Sequence, residues 1–244
     1  MLLLLLVCAG IRAQSVENLI EQGDEFDQRF QATEALKLYQ AVEKLQPGNV
    51  PLLLRIARQY RHLMTDASGR EEKLRLGGTA LAYAQRARKL APDDSDAQLS
   101  VAITYGKMLP LQGKREQVEA SRHIKVAADK AIKLDPHNDL AWHVLGKWHR
   151  VVADVGGVKR ALGQLIYGSL PSTTNEEAVK CFDEAIKINP NRLRHYIELG
   201  RTYAQMGRRA DAQQFLKKGL AMPDAEKDDP EIKRLGREAL AKLR

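Results

Sequence analysis

AWHVLGKWHR (residues 141–150) and NEEAVKCFDEAIKINPN (residues 175–191) decide the fold. The second segment reads A-x3-F-x2-A-x4-P, from Ala178 through Phe182 and Ala185 to Pro190. The first reads W-x2-L-G, in Trp142, Leu145 and Gly146. Two antiparallel helices approach closely only where side chains are small, so Gly146, Ala178 and Ala185 mark a crossing. Trp142, Leu145 and Phe182 fill the space beside it. Pro190 stops the second helix, because it lacks an N–H and its ring clashes with the preceding turn. One such hairpin cannot bury its apolar faces alone, so copies must stack.

The copies are present. Prolines recur at Pro47, Pro92, Pro136 and Pro190. Counting back from each, the same register returns: Ala35, Tyr39 and Val42; Ala80, Ala84 and Ala87; Ile124, Ala128 and Ala131. The first helices align as Gly23 and Phe26; Ile56, Ala57 and Tyr60; Val101, Ala102 and Tyr105; Leu145, Gly146 and His149. A fifth copy carries Tyr196, Leu199, Gly200, Tyr203, Ala212 and Leu216, with Pro223 one position early. These are the marks of tetratricopeptide repeats, units of about 34 residues. The expected fold is all-α: a tetratricopeptide-like solenoid of about five hairpins over residues 15–48, 49–93, 94–137, 138–191 and 192–224.

The spacing departs from the regular repeat. Successive prolines lie 45, 44 and 54 residues apart. The first two excesses predict lengthened helices, with Ser68-x-x-Glu71 as a capping box. The third, between Val151 and Asn175, predicts a short extra helix over residues 158–170, before Thr174-x-x-Glu177 starts the next element. In the tail, residues 228–244, Asp229 caps and Pro230 takes the first helical position. Ile232, Leu235, Ala239, Leu240 and Leu243 form its stripe, as expected of a capping helix over the last hairpin. At the other end, Glu17, Glu21, Asp24, Glu25 and Asp27 suit the solvated outer face of an end repeat.

MLLLLLVCAGIRA (residues 1–13) has the length of a signal-peptide core and is too short to span a bilayer. Cleavage after Ala13 predicts export, to a periplasm or outside the cell. A retained segment would anchor the chain in a membrane, and a start further along would leave it cytoplasmic. Two cysteines provide no disulfide framework, and Cys181 beside Phe182 reads as a buried thiol. The chain of 244 residues carries a formal charge of +8, which favours anionic partners: acidic peptides, phosphate headgroups or nucleic acid.

No catalytic motif is present: no HExxH, G-x-S-x-G, P-loop or metal-spaced cysteine pair. His143 and His149 are six residues apart and do not share a helix face. Neither enzymatic activity nor a cofactor nor a metal is expected. The informative pattern lies on the first helices, which line the groove of a tetratricopeptide array. With each helix's small residue set as the eighth position, the ninth reads Asp24, Arg58, Ile103, Lys147 and Arg201. The neighbouring groove positions add Arg61, Lys107, His143, Arg150 and Arg194, interspersed with Leu54, Leu99, Ile103, Leu140 and Ile197. Gathered cations repel unless an anion visits. Arg58, Arg61, Lys107, His143, Lys147, Arg150, Arg194 and Arg201 are therefore the candidate partner-binding residues. The alternative is a protein that is basic on every solvated face. A wall of cations and apolar patches suits an acidic protein or peptide, or a phospholipid, with residues 158–170 as a lid or membrane contact. Nucleic acid is not expected, since the wall offers few aromatic stacking platforms.

Irregular repeats with such excesses resemble the regulator of microtubule dynamics family. The resemblance is strongest in KWHRVVADVGGVKRALGQLIYGSLPSTTNEEAVKCFDEAIKINPN (residues 147–191) and covers roughly residues 15–244. It rests on the aromatic pair Trp148 and His149, the insert RALGQLIY and the P-S-T-T of Pro171 to Thr174. It implies a tetratricopeptide-like adaptor, not an enzyme, associated with microtubules, mitochondria or the endoplasmic reticulum. One member's repeat domain is implicated in phospholipid binding at membrane contact sites.

Overall fold

Asn49, Asp94 and Asn138 open three helices in the same way. Each side chain accepts the backbone N–H three residues on, from Leu52 at 3.0 Å, Ala97 at 2.8 Å and Ala141 at 3.2 Å. Thr174 does the same for Glu177 at 3.4 Å, as its spacing predicts. Each second helix ends two residues before its proline, because the residue preceding proline is driven out of the helical region. The computed structural model describes residues 16–154 and 172–243. The leader, Ser15 and the insert helix over residues 158–170 lie outside the described residues.

Among the described residues the elements are helices, with no strand. They fall into two compact units divided between Pro92 and Asp93. The first unit holds α1 (residues 16–28), α2 (Ala32–Leu45), α3 (Val50–Asp66) and α4 (Arg70–Leu90). Its core gathers Val16, Leu36, Tyr39, Val42, Leu52 and Ile56. A Cβ on Gly23 would meet the Tyr39 ring at 2.5 Å, so glycine is what lets α1 lie against α2. The second unit holds α5 (Ser95–Met108), a short 3-10 turn (Leu109–Leu111), α6 (Lys114–Leu134), α7 (Asp139–Ala153), α8 (Asn175–Ile188), α9 (Leu193–Gln205), α10 (Arg209–Ala221) and α11 (Asp229–Ala241). Its hairpins pair α5 with α6, α7 with α8 and α9 with α10, while α11 packs on α9 and α10.

The predicted pinch points are real. Ala178 and Ala185 are fully buried, and a Cβ on Gly146 would lie 3.0 Å from Phe182. Gly200 is tighter, at 2.8 Å from the backbone nitrogen of Leu216. The excess length sits in the second helices, with α4 and α6 each running 21 residues. Pro223 follows the same rule as the other prolines, since α10 ends at Ala221. Cys181 is buried, and burial pushes its thiol up to about 12.

Four local expectations are corrected. α4 starts at Arg70 with Gly69 at the cap and no side-chain bond, so Ser68 falls one residue too early for a capping box. Asp24 and Asp27 are not free on the outer face: Arg55 donates to the half-buried Asp24 at 2.7 and 3.0 Å, and Arg58 pairs with Asp27, which is 8% exposed. Two α3 guanidiniums face α1 and draw these carboxylates inward. Leu99 and Ile197 do not line an open wall. Leu99 packs with Ala131 and Ala141, and Ile197 lies fully buried against Gly219 and Gly236 beneath α11. Asp229 is the first residue of α11, not its cap, and its carboxylate reaches back to the N–H groups of Ala225 at 2.9 Å and Glu226 at 2.8 Å.

Candidate partner-binding site

The first helices of the second unit, α5, α7 and α9, follow one another side by side. Between α7 and α9 stands Glu198, 3% exposed. Arg150 donates to it from Nε at 3.1 Å, and Arg201, one turn along α9, donates at 2.7 Å. Burial alone would raise this carboxyl. Arg150, Arg201 and Lys147 outweigh it and hold Glu198 at about 2. Lys147 makes no ion pair of its own among the described residues. It is exposed to solvent yet partly desolvated by the protein around it. That desolvation, with the charges of Arg150, Arg201 and Arg194 beside it, holds its ammonium below the ordinary lysine range against the pull of Glu198. Two guanidiniums therefore share one carboxylate, and a third cation, Lys147, stands within its field.

Beside this cluster a polar relay joins the same two helices. Asp139 of α7 accepts from His195 Nε2 at 2.8 Å and also pairs with Arg192. His195 Nδ1 lies 3.0 Å from His143 Nδ1, and the His143 ring meets Phe182 edge-on. Both imidazoles are buried. The remaining cations meet the acidic stretch between α10 and α11. Lys107 pairs with Asp228 at 2.9 Å, Arg192 with Glu226 at 2.6 Å, and Arg194 with Glu226 as well.

The structure thus distributes the eight residues named from sequence. Arg58 and Arg61 belong to α3 of the first unit; Arg58 is bound to Asp27, and Arg61 is buried. In the second unit, Lys147, Arg150 and Arg201 come together around Glu198. His143 lies between helices, and Lys107 and Arg194 face the acidic stretch. Sequence reasoning missed the acids that organise these cations: Glu198, Asp139, Glu226 and Asp228. One signal was available for Glu198, which stands three residues before Arg201 on the same helix and so shares its face. Among the described residues no group of three or more His, Cys, Asp or Glu side chains is placed to hold a metal ion. No described helix is long and apolar enough to cross a membrane.

Comparison with known proteins gives the lineage. The sequence pattern that describes "Regulator of microtubule dynamics protein 1-3" matches residues 19–244. The chain belongs to the regulator of microtubule dynamics family. The Bos taurus regulator of microtubule dynamics protein 1 is 28% identical over 230 residues, 93% of this chain and 72% of that protein. The Xenopus laevis regulator of microtubule dynamics protein 3 is 24% identical over 216 residues, 87% of this chain and 47% of that protein. Among solved structures, a thermophilic TPR protein of Thermus thermophilus matches with a TM-score of 0.66 at 15% identity, covering 93% of this chain and 99% of that one. A MamA structure from Desulfovibrio magneticus matches at 0.53 and 12% identity, covering 84% and 93%. At such identity the likeness speaks for the fold: this member of the regulator family is a tetratricopeptide-like helical repeat.

Proposed function

We propose that this protein is a non-catalytic adaptor whose second unit holds the carboxylates of an acidic polypeptide through Lys147, Arg150 and Arg201. The observation that carries the reading is the exposed Lys147, without an ion pair among the described residues, beside two arginines that share a single carboxylate. Gathered positive charge is relieved when an anion arrives. The repeat fold supports binding over catalysis, since first helices of such hairpins present extended surfaces to partners. The relatives are named as regulators of microtubule dynamics, which makes microtubules the setting in which to look for the acidic partner.

The test is binding of a fluorescein-labelled hexaglutamate peptide to the purified protein at low salt. Lys147→Glu with Arg201→Glu should abolish it and leave the helical circular dichroism intact. Unchanged binding by the variant would remove the reading. Vesicles containing phosphatidic acid form the second arm. Charge-sensitive binding to vesicles without peptide binding would move the assignment to a phospholipid. Co-sedimentation with microtubules, lost in the same variant, would identify the partner's setting.

A further inference from the structure

The stretch PDAEKDDP (residues 223–230) carries four carboxylates within eight residues. It links α10 to α11 and reaches across the ends of α5 and α9. Asp228 takes Lys107 of α5 at 2.9 Å. Glu226 takes Arg192, just before α9, at 2.6 Å, and Arg194 within α9. Asp229 lies 4.0 Å from Arg194, is 2% exposed, and ties the segment into a turn through the N–H groups of Ala225 and Glu226. These pairs are half-buried, which shields them from solvent more than surface pairs. Asp224 is the exception: it pairs at 2.6 Å with Lys233 of α11 and meets none of these cations.

The chain thus pairs Lys107, Arg192 and Arg194 with its own acidic segment and leaves Lys147, Arg150 and Arg201 around Glu198. An acidic polypeptide of the same chemistry would compete for Lys107, Arg192 and Arg194. We infer that residues 223–229 are a built-in competitor: an acidic strap that must lift before a partner can engage the whole basic face. The inference rests on the reading of Lys147, Arg150 and Arg201 as an acidic-partner site. A partner held by those three alone binds weakly, and one that displaces the strap gains Lys107 and Arg194, with Arg192 still held by Asp139. The strap therefore favours long acidic stretches over single carboxylates or small anions.

The experiment uses the full chain and two labelled probes, hexaglutamate and dodecaglutamate. Glu226→Gln with Asp228→Asn keeps the shape of the segment and removes the charges that hold it. The double variant should bind dodecaglutamate roughly tenfold more tightly than wild type, the scale expected for releasing two or three half-buried pairs. Asp224→Asn should bind as wild type does. Hydrogen exchange at Ala225 and Glu226 should speed up when dodecaglutamate is added to the wild-type protein. Equal affinity of wild type and double variant, with exchange unchanged by the probe, would overturn the strap and leave the acidic-partner reading standing. Failure of both proteins to bind either probe would overturn the reading itself, and the strap with it. If the double variant loses helical signal, the single variant Asp228→Asn, expected to gain roughly threefold, takes its place.

Discussion

His143 and His195 face one another nitrogen to nitrogen, Nδ1 to Nδ1, at 3.0 Å between α7 and α9. The tautomers follow. His195 donates its Nε2 proton to Asp139, so its Nδ1 carries a lone pair and accepts the Nδ1 proton of His143. Both rings are neutral. Burial is the first cause that lowers both, and the cations Arg192 and Arg194 act the same way, while Asp139 opposes it at His195. The unfolded chain takes up protons at these histidines below about pH 6.5, and the native state takes them up only at lower pH. Stability must therefore fall as pH drops below about 6.5, by up to about 1.4 kcal/mol per histidine per pH unit. His149, also lowered by burial, adds to the same slope. Denaturant titrations at pH 7.5, 6.5 and 5.5 check this. His143→Gln should flatten the slope by one histidine's share, and a slope identical to wild type would refute the assignment.

Glu198 answers to the opposite logic. Its carboxyl titrates at about 2, so the stability it contributes is present above its unfolded value and is lost only as pH falls toward 2. Glu198→Gln leaves Lys147, Arg150 and Arg201 without a counter-charge and should cost about 3 kcal/mol at neutral pH. Sodium sulfate should restore more of the lost Tm than sodium chloride at equal ionic strength, because the anion takes the vacated place. A variant as stable as wild type would mean that the cluster is not electrostatically coupled.

The glycines separate into two kinds. At Gly200 an added methyl group meets the Leu216 backbone nitrogen at 2.8 Å, which cannot move away without shifting α10. Gly200→Ala should destabilise by about 1–3 kcal/mol. At Gly78, exposed in α4, a methyl group meets nothing within 4 Å. Gly78→Ala should stabilise by about 0.5–1 kcal/mol, because alanine loses less conformational freedom in a helix. Thermal melts of both variants against wild type decide the matter.

The architecture was legible because its rule is local. Small residues at Gly146, Gly200, Ala178 and Ala185 can only mean close helix crossing, and prolines at a recurrent place can only mean helix ends. The site was less legible because counter-ions come from elsewhere in the chain. Arg150 finds Glu198 48 residues on, and Lys107 finds Asp228 121 residues on. Periodicity on one helix cannot supply such partners. The same limit explains Ile197: its register matched a groove position, but the helix that buries it, α11, comes later in the chain.

Lys147 tests the account most directly. Lysine side chains labelled with carbon-13 give one signal per residue, and Lys147→Arg identifies the one that belongs to Lys147. In the free protein this signal should titrate below the ordinary lysine value of 10.5, because desolvation and the neighbouring arginines oppose its charge. On addition of hexaglutamate it should shift, and its titration should move upward as the peptide's carboxylates arrive. A Lys147 signal that neither shifts nor changes its titration at a peptide concentration that saturates binding would contradict the proposed site.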